Sequence, residues 1–184
     1  MTLRRGSGQA GDTARLFFAV WPTPQVQRAL GEIARRAQHE CGGRAVPHSN
    51  IHLTLVFLGN LPRERVAVLE AIAPTVQGHR FTLKVDRLEH WRHNRILWGG
   101  TRDIPEALQA LVARMQEALA AAEFRFDRRP YVPHITLLRN ARRAPAEDRC
   151  PEVSWPVESF ALMESAPRER GREYRILRSW PLDG

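Results

Sequence analysis

The feature that most constrains the fold of this chain is a tetrapeptide pattern that occurs twice. The segments His52-Leu53-Thr54-Leu55 and His134-Ile135-Thr136-Leu137 both read histidine, aliphatic, threonine, aliphatic. Each lies in a predicted strand that follows a predicted strand and helix. The interval is 35 residues in the first copy, counted from Phe17, and 37 in the second, counted from Leu97. Two units with the same order and spacing predict a duplicated fold with a pseudo-two-fold axis, which places the motif strands face to face.

Within each motif the polar and apolar side chains alternate. Successive side chains of a strand point to opposite faces, so the histidine and threonine of one motif share a face. We expect the aliphatic face to pack on a core and the His-Thr face to line water or a ligand. A single half-exposed strand produces the same alternation without any function. The second copy at the matching place favours a functional site.

Two histidines and two hydroxyls facing one another suit phosphodiester cleavage. In-line attack at phosphorus places the nucleophile and the leaving group on opposite sides of the atom. With an ordinary pKa of ~6.5, one imidazole can accept a proton from water while the other, protonated, donates to the departing oxygen. Threonine hydroxyls can donate to the non-bridging phosphate oxygens, where charge builds up. No carboxylate–histidine cluster flanks either motif, so we expect neither a metal nor another cofactor.

The remaining pattern mixes strands with amphipathic helices. Predicted helices cover about 26–39, a segment starting at Pro62, and about 105–122, while residues 145–151 predict a loop. Further strands are predicted at Leu16–Val20, Ile51–Leu58, Phe81–Leu88, Arg95–Trp98, Tyr131–Leu138, Val153–Met163 and Tyr174–Trp180. Residues 1–13 read as a flexible leader, and residues 14–184 as one domain.

The net charge and the cysteine content limit the classes of function that the chain can have. The formal net charge is +8, and Lys84 is the only lysine among 28 basic residues, which predicts attraction to polyanions. Arginine also binds phosphate through a planar, bidentate fork. Cys41 and Cys150 make no disulfide framework, no apolar run approaches a membrane span, and residues 6–12 are too polar for a signal peptide. We expect a cytoplasmic monomer with no membrane contact.

The motifs resemble those of a known family. Segments 15–20, 50–59, 133–139 and 158–182 are similar to the two-histidine (2H) phosphoesterase superfamily, and within it to the RNA 2′,3′-cyclic phosphodiesterases, also called 2′-5′ RNA ligases. The resemblance implies an α+β, bilobal fold. In that fold, pseudo-two-fold duplicated antiparallel sheets flank a central active-site groove and helices pack outside.

The resemblance also implies an activity and a role for each motif residue. Family members open a terminal 2′,3′-cyclic phosphate of RNA to a 2′-phosphate, and some join such an end to a 5′-hydroxyl as a 2′-5′ linkage. By analogy His52 is the proton donor and His134 the proton acceptor. Thr54 and Thr136 match the phosphate-binding hydroxyls, and Arg139 matches an arginine that often follows the second motif.

Three candidates for substrate binding lie close to the second motif in the sequence. Arg139 shares strand parity with the core side chain Leu137, so it reaches phosphate only if the strand ends or twists there. Arg129 precedes the second motif strand and either holds RNA phosphates or is a solvated turn residue. Tyr131 can stack a nucleobase. Phe57 offers the same aromatic surface, but core packing is the better prediction for it.

Two other functions remain open from the sequence. The same two-histidine site can serve a small cyclic phosphate, such as an ADP-ribose cyclic phosphate, and a long arginine-lined track would favour RNA instead. A non-catalytic RNA-binding module is the other alternative. Such a module tolerates the loss of one histidine, and this chain keeps both.

Overall fold

The computed structural model describes residues 12–169 and 171–184. Strands are β1 (Thr13–Val20), β2 (Arg44–Ala45), β3 (Leu53–Pro62), β4 (Phe81–Trp91), β5 (Ile96–Gly100), β6 (Ile135–Arg139), β7 (Arg149–Val157), β8 (Ser159–Arg168) and β9 (Gly171–Pro181). Helices are α1 (Pro24–Cys41), α2 (Arg65–Ile72) and α3 (Glu106–Ala121), with short 3₁₀ turns at His48–Asn50 and Ala73–Thr75. The predicted leader falls mostly on residues 1–11, outside the described residues, and Thr13 already belongs to β1.

These strands form two antiparallel sheets. Sheet A has the order β3-β1-β8-β9 and sheet B the order β2-β6-β5-β4-β7. The pair β3-β1 in sheet A corresponds to the pair β6-β5 in sheet B, and each pair carries one motif at the same register. The predicted α+β fold with duplicated antiparallel sheets is therefore confirmed.

The helices pack on the outer faces of the two sheets, and α1 and α3 each cross to the other half. α1 follows β1 of sheet A but contacts β6 and β7 of sheet B. α3 follows β5 of sheet B but contacts β3 of sheet A. One continuous apolar core results, running from Ala14 to Leu182. A single domain over residues 14–184 stays a prediction, which this continuity favours.

One predicted strand is wrong. The pattern from Val153 to Met163 indicates one strand, but the chain leaves sheet B at Val157 and enters sheet A at Ser159. Only Glu158 separates β7 from β8. The loop predicted at 145–151 is also shorter than expected, because β7 begins at Arg149.

Candidate active site

Each motif strand presents its aliphatic side chains to the core and its His and Thr to the opposite face. The buried set is Leu53, Leu55, Ile135 and Leu137, all with an exposed fraction of 2% or less. The half-buried set is His52, Thr54, His134 and Thr136. The alternation predicted from the sequence is thus present in both copies. We call the His-Thr faces of the two sheets the groove face.

The two motif strands come into contact with each other. β3 contacts β6 although the two strands belong to different sheets. Tyr131, just before the second motif, donates a hydrogen bond from its hydroxyl to the Thr54 carbonyl oxygen at 3.0 Å. The ring of Tyr131 therefore connects one half of the groove to the other.

Both imidazoles are held by the same local contact. Nδ1 of His52 lies 2.8 Å from the carbonyl oxygen of Asn50, and Nδ1 of His134 lies 2.8 Å from that of Val132. A carbonyl oxygen only accepts, so Nδ1 carries the proton in each neutral ring. Nε2 is then the nitrogen that gains or loses a proton. Each half supplies one such nitrogen, which is what an acid–base pair requires.

A β-bulge in each motif strand changes which side chains follow the threonine. In β6, Thr136 lies opposite Trp98 and Leu138 opposite Leu97, so Leu137 is the extra residue. In β3, Thr54 lies opposite Ala19 and Val56 opposite Phe18, so Leu55 is the extra residue. The bulge occupies the equivalent position in the two copies.

The bulge brings Arg139 onto the groove face. Arg139 lies opposite Ile96, which is two residues from Trp98 on β5, so Arg139 shares the face of Thr136. The prediction from strict alternation along the strand, which places Arg139 on the core face, is therefore wrong. The Arg139 charge also contributes to lowering the pKa of His52, as expected of a cation near that ring.

The corresponding bulge in β3 exposes Phe57, which is the counterpart of Arg139 in sheet A. Phe57 lies opposite Phe17 and is 40% exposed, so the predicted core packing is wrong. The guanidinium of Arg15 sits 4.7 Å from the centre of its ring. The two halves thus place an arginine and an aromatic ring at equivalent positions of the groove.

Aromatic rings surround His52. Trp21 stacks on the imidazole with ring centres 5.5 Å apart and planes 8° apart. Tyr174 meets it edge-on at 4.8 Å, and Phe17 lies at 5.1 Å. These rings join a small apolar cluster on the groove face of sheet A. No spacing in the sequence marked Trp21 or Tyr174, because one follows the end of β1 and the other comes from β9.

His134 has fewer and less parallel aromatic neighbours. Trp91 lies 4.7 Å away at 58°, and Trp98 lies 6.2 Å away at 75°. Val132, whose carbonyl holds the ring, is itself exposed. The second histidine therefore sits in a more open setting than the first.

Burial lowers the pKa of both histidines, since a low-dielectric environment disfavours the charged ring. The pKa of His52 falls from 6.5 to about 4, chiefly by desolvation. The bond to the Asn50 carbonyl opposes this change, while the charges of His134 and Arg139 add to it. The pKa of His134 is also lowered by burial, against the bond to Val132. Both rings are thus neutral in the empty groove at neutral pH.

The structure gives the two other candidates different surroundings. Burial raises the pKa of Tyr131, whose hydroxyl is already engaged with Thr54. Arg129 lies on an exposed turn and pairs with Asp127 through Nε and Nη2. That contact holds the pKa of Asp127 at about 2. Substrate binding by Tyr131 or Arg129 stays a prediction.

No group of three His, Cys, Asp or Glu side chains within residues 12–169 and 171–184 has the arrangement that a metal ion needs. In the same part of the chain, none of the helices combines the length and apolarity of a membrane span.

The sequence pattern of the 2′-5′ RNA ligase superfamily matches residues 22–169, which include both motifs, all of sheet B, and β3 and β8 of sheet A. The chain belongs to this superfamily. The family resemblance drawn from the two motifs is confirmed.

Relatives and solved structures agree with this membership. An RNA 2′,3′-cyclic phosphodiesterase of Escherichia coli is 33% identical over 172 residues, covering 91% of this chain and 96% of the relative. One of Thermus thermophilus is 34% identical over 185 residues, covering 92% and 91%. The apo form of E. coli LigT superimposes with a TM-score of 0.83 at 32% identity, covering 95% of this chain and all of that one. E. coli LigT has also been solved with 3′-AMP, at a TM-score of 0.83 and 32% identity, covering 93% and 99%.

Proposed function

We propose that this protein is an RNA 2′,3′-cyclic phosphodiesterase, which hydrolyses a terminal 2′,3′-cyclic phosphate to a 2′-phosphomonoester. The observation that carries the proposal is the pair of imidazoles with matched orientation. Each fixes its Nδ1 proton on a main-chain carbonyl and has a threonine hydroxyl beside it on the groove face. Similarity to relatives that bear this name supports the choice of substrate.

The reaction follows from this arrangement. His134 accepts a proton at Nε2 from a water molecule, whose oxygen attacks phosphorus. The bond between phosphorus and the 3′-oxygen breaks on the opposite side, and His52 donates a proton from Nε2 to that oxygen. The products are a 2′-phosphate and a free 3′-hydroxyl. With a 5′-hydroxyl of another RNA in place of water, the same steps give a 2′-5′ linkage.

The groups around the reacting phosphate have complementary roles. Hydroxyls of Thr54 and Thr136 donate to the non-bridging oxygens, where negative charge grows in the transition state. The positive charge of Arg139 stabilises the same oxygens from the face that it shares with Thr136. Phe57 offers an exposed aromatic surface to a nucleobase beside the phosphate. These assignments need no metal ion in any step.

The test is to incubate the purified protein with a short RNA that ends in a 2′,3′-cyclic phosphate, with excess chelator present. We expect gain of one water by mass spectrometry and a 2′-phosphate by phosphorus NMR. The same RNA ending in a 3′-phosphate is the control and should stay unchanged. Turnover that disappears with chelator and returns with a divalent metal would refute the acid–base scheme.

A further inference from the structure

The guanidinium of Arg172 is held in place without a carboxylate partner. Its Nε donates to the hydroxyl of Ser165, and its Nη2 donates to the main-chain oxygen of Ser165 at 3.0 Å. Ser165 is only 5% exposed, so the anchor is itself fixed. In the part of the chain that the structure describes, no carboxylate oxygen lies within 4.0 Å of Arg172. Arg168, in the same hairpin, is paired with Glu173.

Arg172 lies on the groove face of sheet A, next to the aromatic rings around His52. Ser165 is directly opposite Tyr174 across the β8-β9 pair, and the Tyr174 ring is 4.8 Å from His52. Arg172 is two residues from Tyr174, so its side chain leaves the same face of β9. Arg172 and Tyr174 are roughly 7 Å apart along the strand, so the Arg172 side chain starts close to the ring that contacts His52.

Asn50 fixes the position of this arginine relative to His52. The Asn50 side chain donates from Nδ2 to the Arg172 carbonyl oxygen at 2.8 Å. The main-chain oxygen of the same Asn50 accepts the Nδ1 proton of His52, also at 2.8 Å. One residue therefore ties the tip of the β8-β9 hairpin to the His52 imidazole.

We propose that Arg172 binds the RNA phosphate one nucleotide upstream of the cyclic end. A guanidinium without a counterion attracts an anion, and its planar fork matches phosphate oxygens. Two hydrogen bonds to Ser165 hold the fork in place before the substrate arrives, which lowers the entropy cost of binding. This inference rests on the proposed function, because it assumes that the cyclic phosphate lies between His52 and His134. Arg172 then distinguishes an RNA chain, which carries an upstream phosphate, from a mononucleotide, which does not.

The experiment compares Arg172→Gln with the unaltered protein on two substrates, a 2′,3′-cyclic mononucleotide and a tetranucleotide with the same cyclic end. Only the tetranucleotide carries the upstream phosphate. We expect KM for the tetranucleotide to rise about tenfold with kcat within about twofold, and both constants for the mononucleotide to stay unchanged. The slope of log affinity against log salt for the tetranucleotide should fall by about 0.7, the value for one phosphate contact in single strands.

Arg175→Gln is the matched control. It removes the same charge from the same strand, but alternation places this exposed side chain on the opposite face. We expect it to leave the tetranucleotide KM near that of the unaltered protein. Equal losses in Arg172→Gln on both substrates, with an unchanged salt slope, would overturn the inference and leave Arg172 as a structural tie of the hairpin.

A binding measurement separates this inference from the proposed function. The ligands are a tetranucleotide and a mononucleotide that each end in a 2′-phosphate. If the unaltered protein cleaves neither cyclic substrate, the proposed function fails, and the binding ratio still decides the role of Arg172. If Arg172→Gln binds both ligands as the unaltered protein does, the inference fails while cleavage of the cyclic substrates stands.

Discussion

His52 and His134 each lie directly before a motif strand with the same bulge, and each makes the same Nδ1 contact, yet their surroundings differ. Trp21 stacks on His52, and Tyr174 and Phe17 close around it. His134 meets its tryptophans at steep angles and lies beside an exposed valine. Duplication thus supplies the chemical groups, and the residues around them give each half its own electrostatics.

The difference bears on which histidine donates the proton. The pKa of His52 falls to about 4, so at neutral pH the empty site holds it almost wholly neutral. Taken alone, this favours His52 as the acceptor, whereas the family pattern makes it the donor. A bound phosphate anion between the rings restores the donor role, because an opposite charge nearby favours the imidazolium. Substrate binding and protonation of His52 are then coupled.

The largest effect that tests the comparison is the loss of either histidine. His52→Ala and His134→Ala should each lower the rate on RNA by about 10²- to 10⁴-fold, the usual contribution of one general acid or base. A substrate with a nitrophenolate leaving group has little need of the acid, so His52→Ala should be largely rescued on it. His134→Ala should stay impaired. Rescue in the reverse order would exchange the two roles, provided the artificial substrate binds in the same orientation.

Substitutions of Thr54 and Thr136 test whether the two halves contribute equally to binding the phosphate oxygens. Thr54→Val and Thr136→Val keep the shape of the side chain and remove the donor. Each should lower kcat by about 10²-fold, the lower end for one oxyanion donor. Thr75→Val, in a 3₁₀ turn after α2, is a control for the chemical change. A full rate in both motif variants would place the phosphate elsewhere.

Stability against pH tests the burial of the two rings. Between pH 6.5 and about 4 the unfolded chain binds a proton at His52 that the folded chain does not. The free energy of unfolding therefore falls as the solution is acidified through this window, by up to about 3 kcal/mol. Urea unfolding of His52→Gln should show a weaker pH dependence than that of the unaltered protein. His134→Gln should weaken the pH dependence of the free energy of unfolding by less than His52→Gln does. The same pH dependence in the unaltered protein and both variants would contradict the difference in burial.

The smallest effect concerns the stacked tryptophan. Trp21→Leu keeps an apolar contact with His52 but removes the aromatic face that stabilises the imidazolium. We expect kcat to fall about tenfold, with the basic limb of its pH profile moved to lower pH. The comparison is Trp98→Leu, because the Trp98 ring meets His134 at a steep angle instead of stacking on it. This substitution should leave the basic limb of the pH profile in place. A uniform loss without a shift would make Trp21 a packing residue.

The motif residues were predictable from the sequence, and their neighbours were not. Alternation within each motif is local, so the face of His52 and Thr54 follows from the chain itself. Arg139 and Phe57 were misplaced because a bulge inserts one residue without any mark in the sequence. The aromatic set around His52 comes from β1 and β9, which only the folded chain brings together. The change of sheet at Glu158 was missed because this one residue separates β7 from β8, and no glycine lies there to mark a turn.

The topology of sheet A has a consequence for synthesis on the ribosome. β1 is the first of the described strands to be made, and one of its two neighbours is β8, which ends at Arg168. Until that C-terminal segment emerges, one edge of an apolar strand has no partner and is open to pairing with other chains. A nascent chain interrupted before Ser159 has both histidines but half of its first sheet. We therefore expect truncated products to aggregate, and folding to finish only after the last hairpin is released.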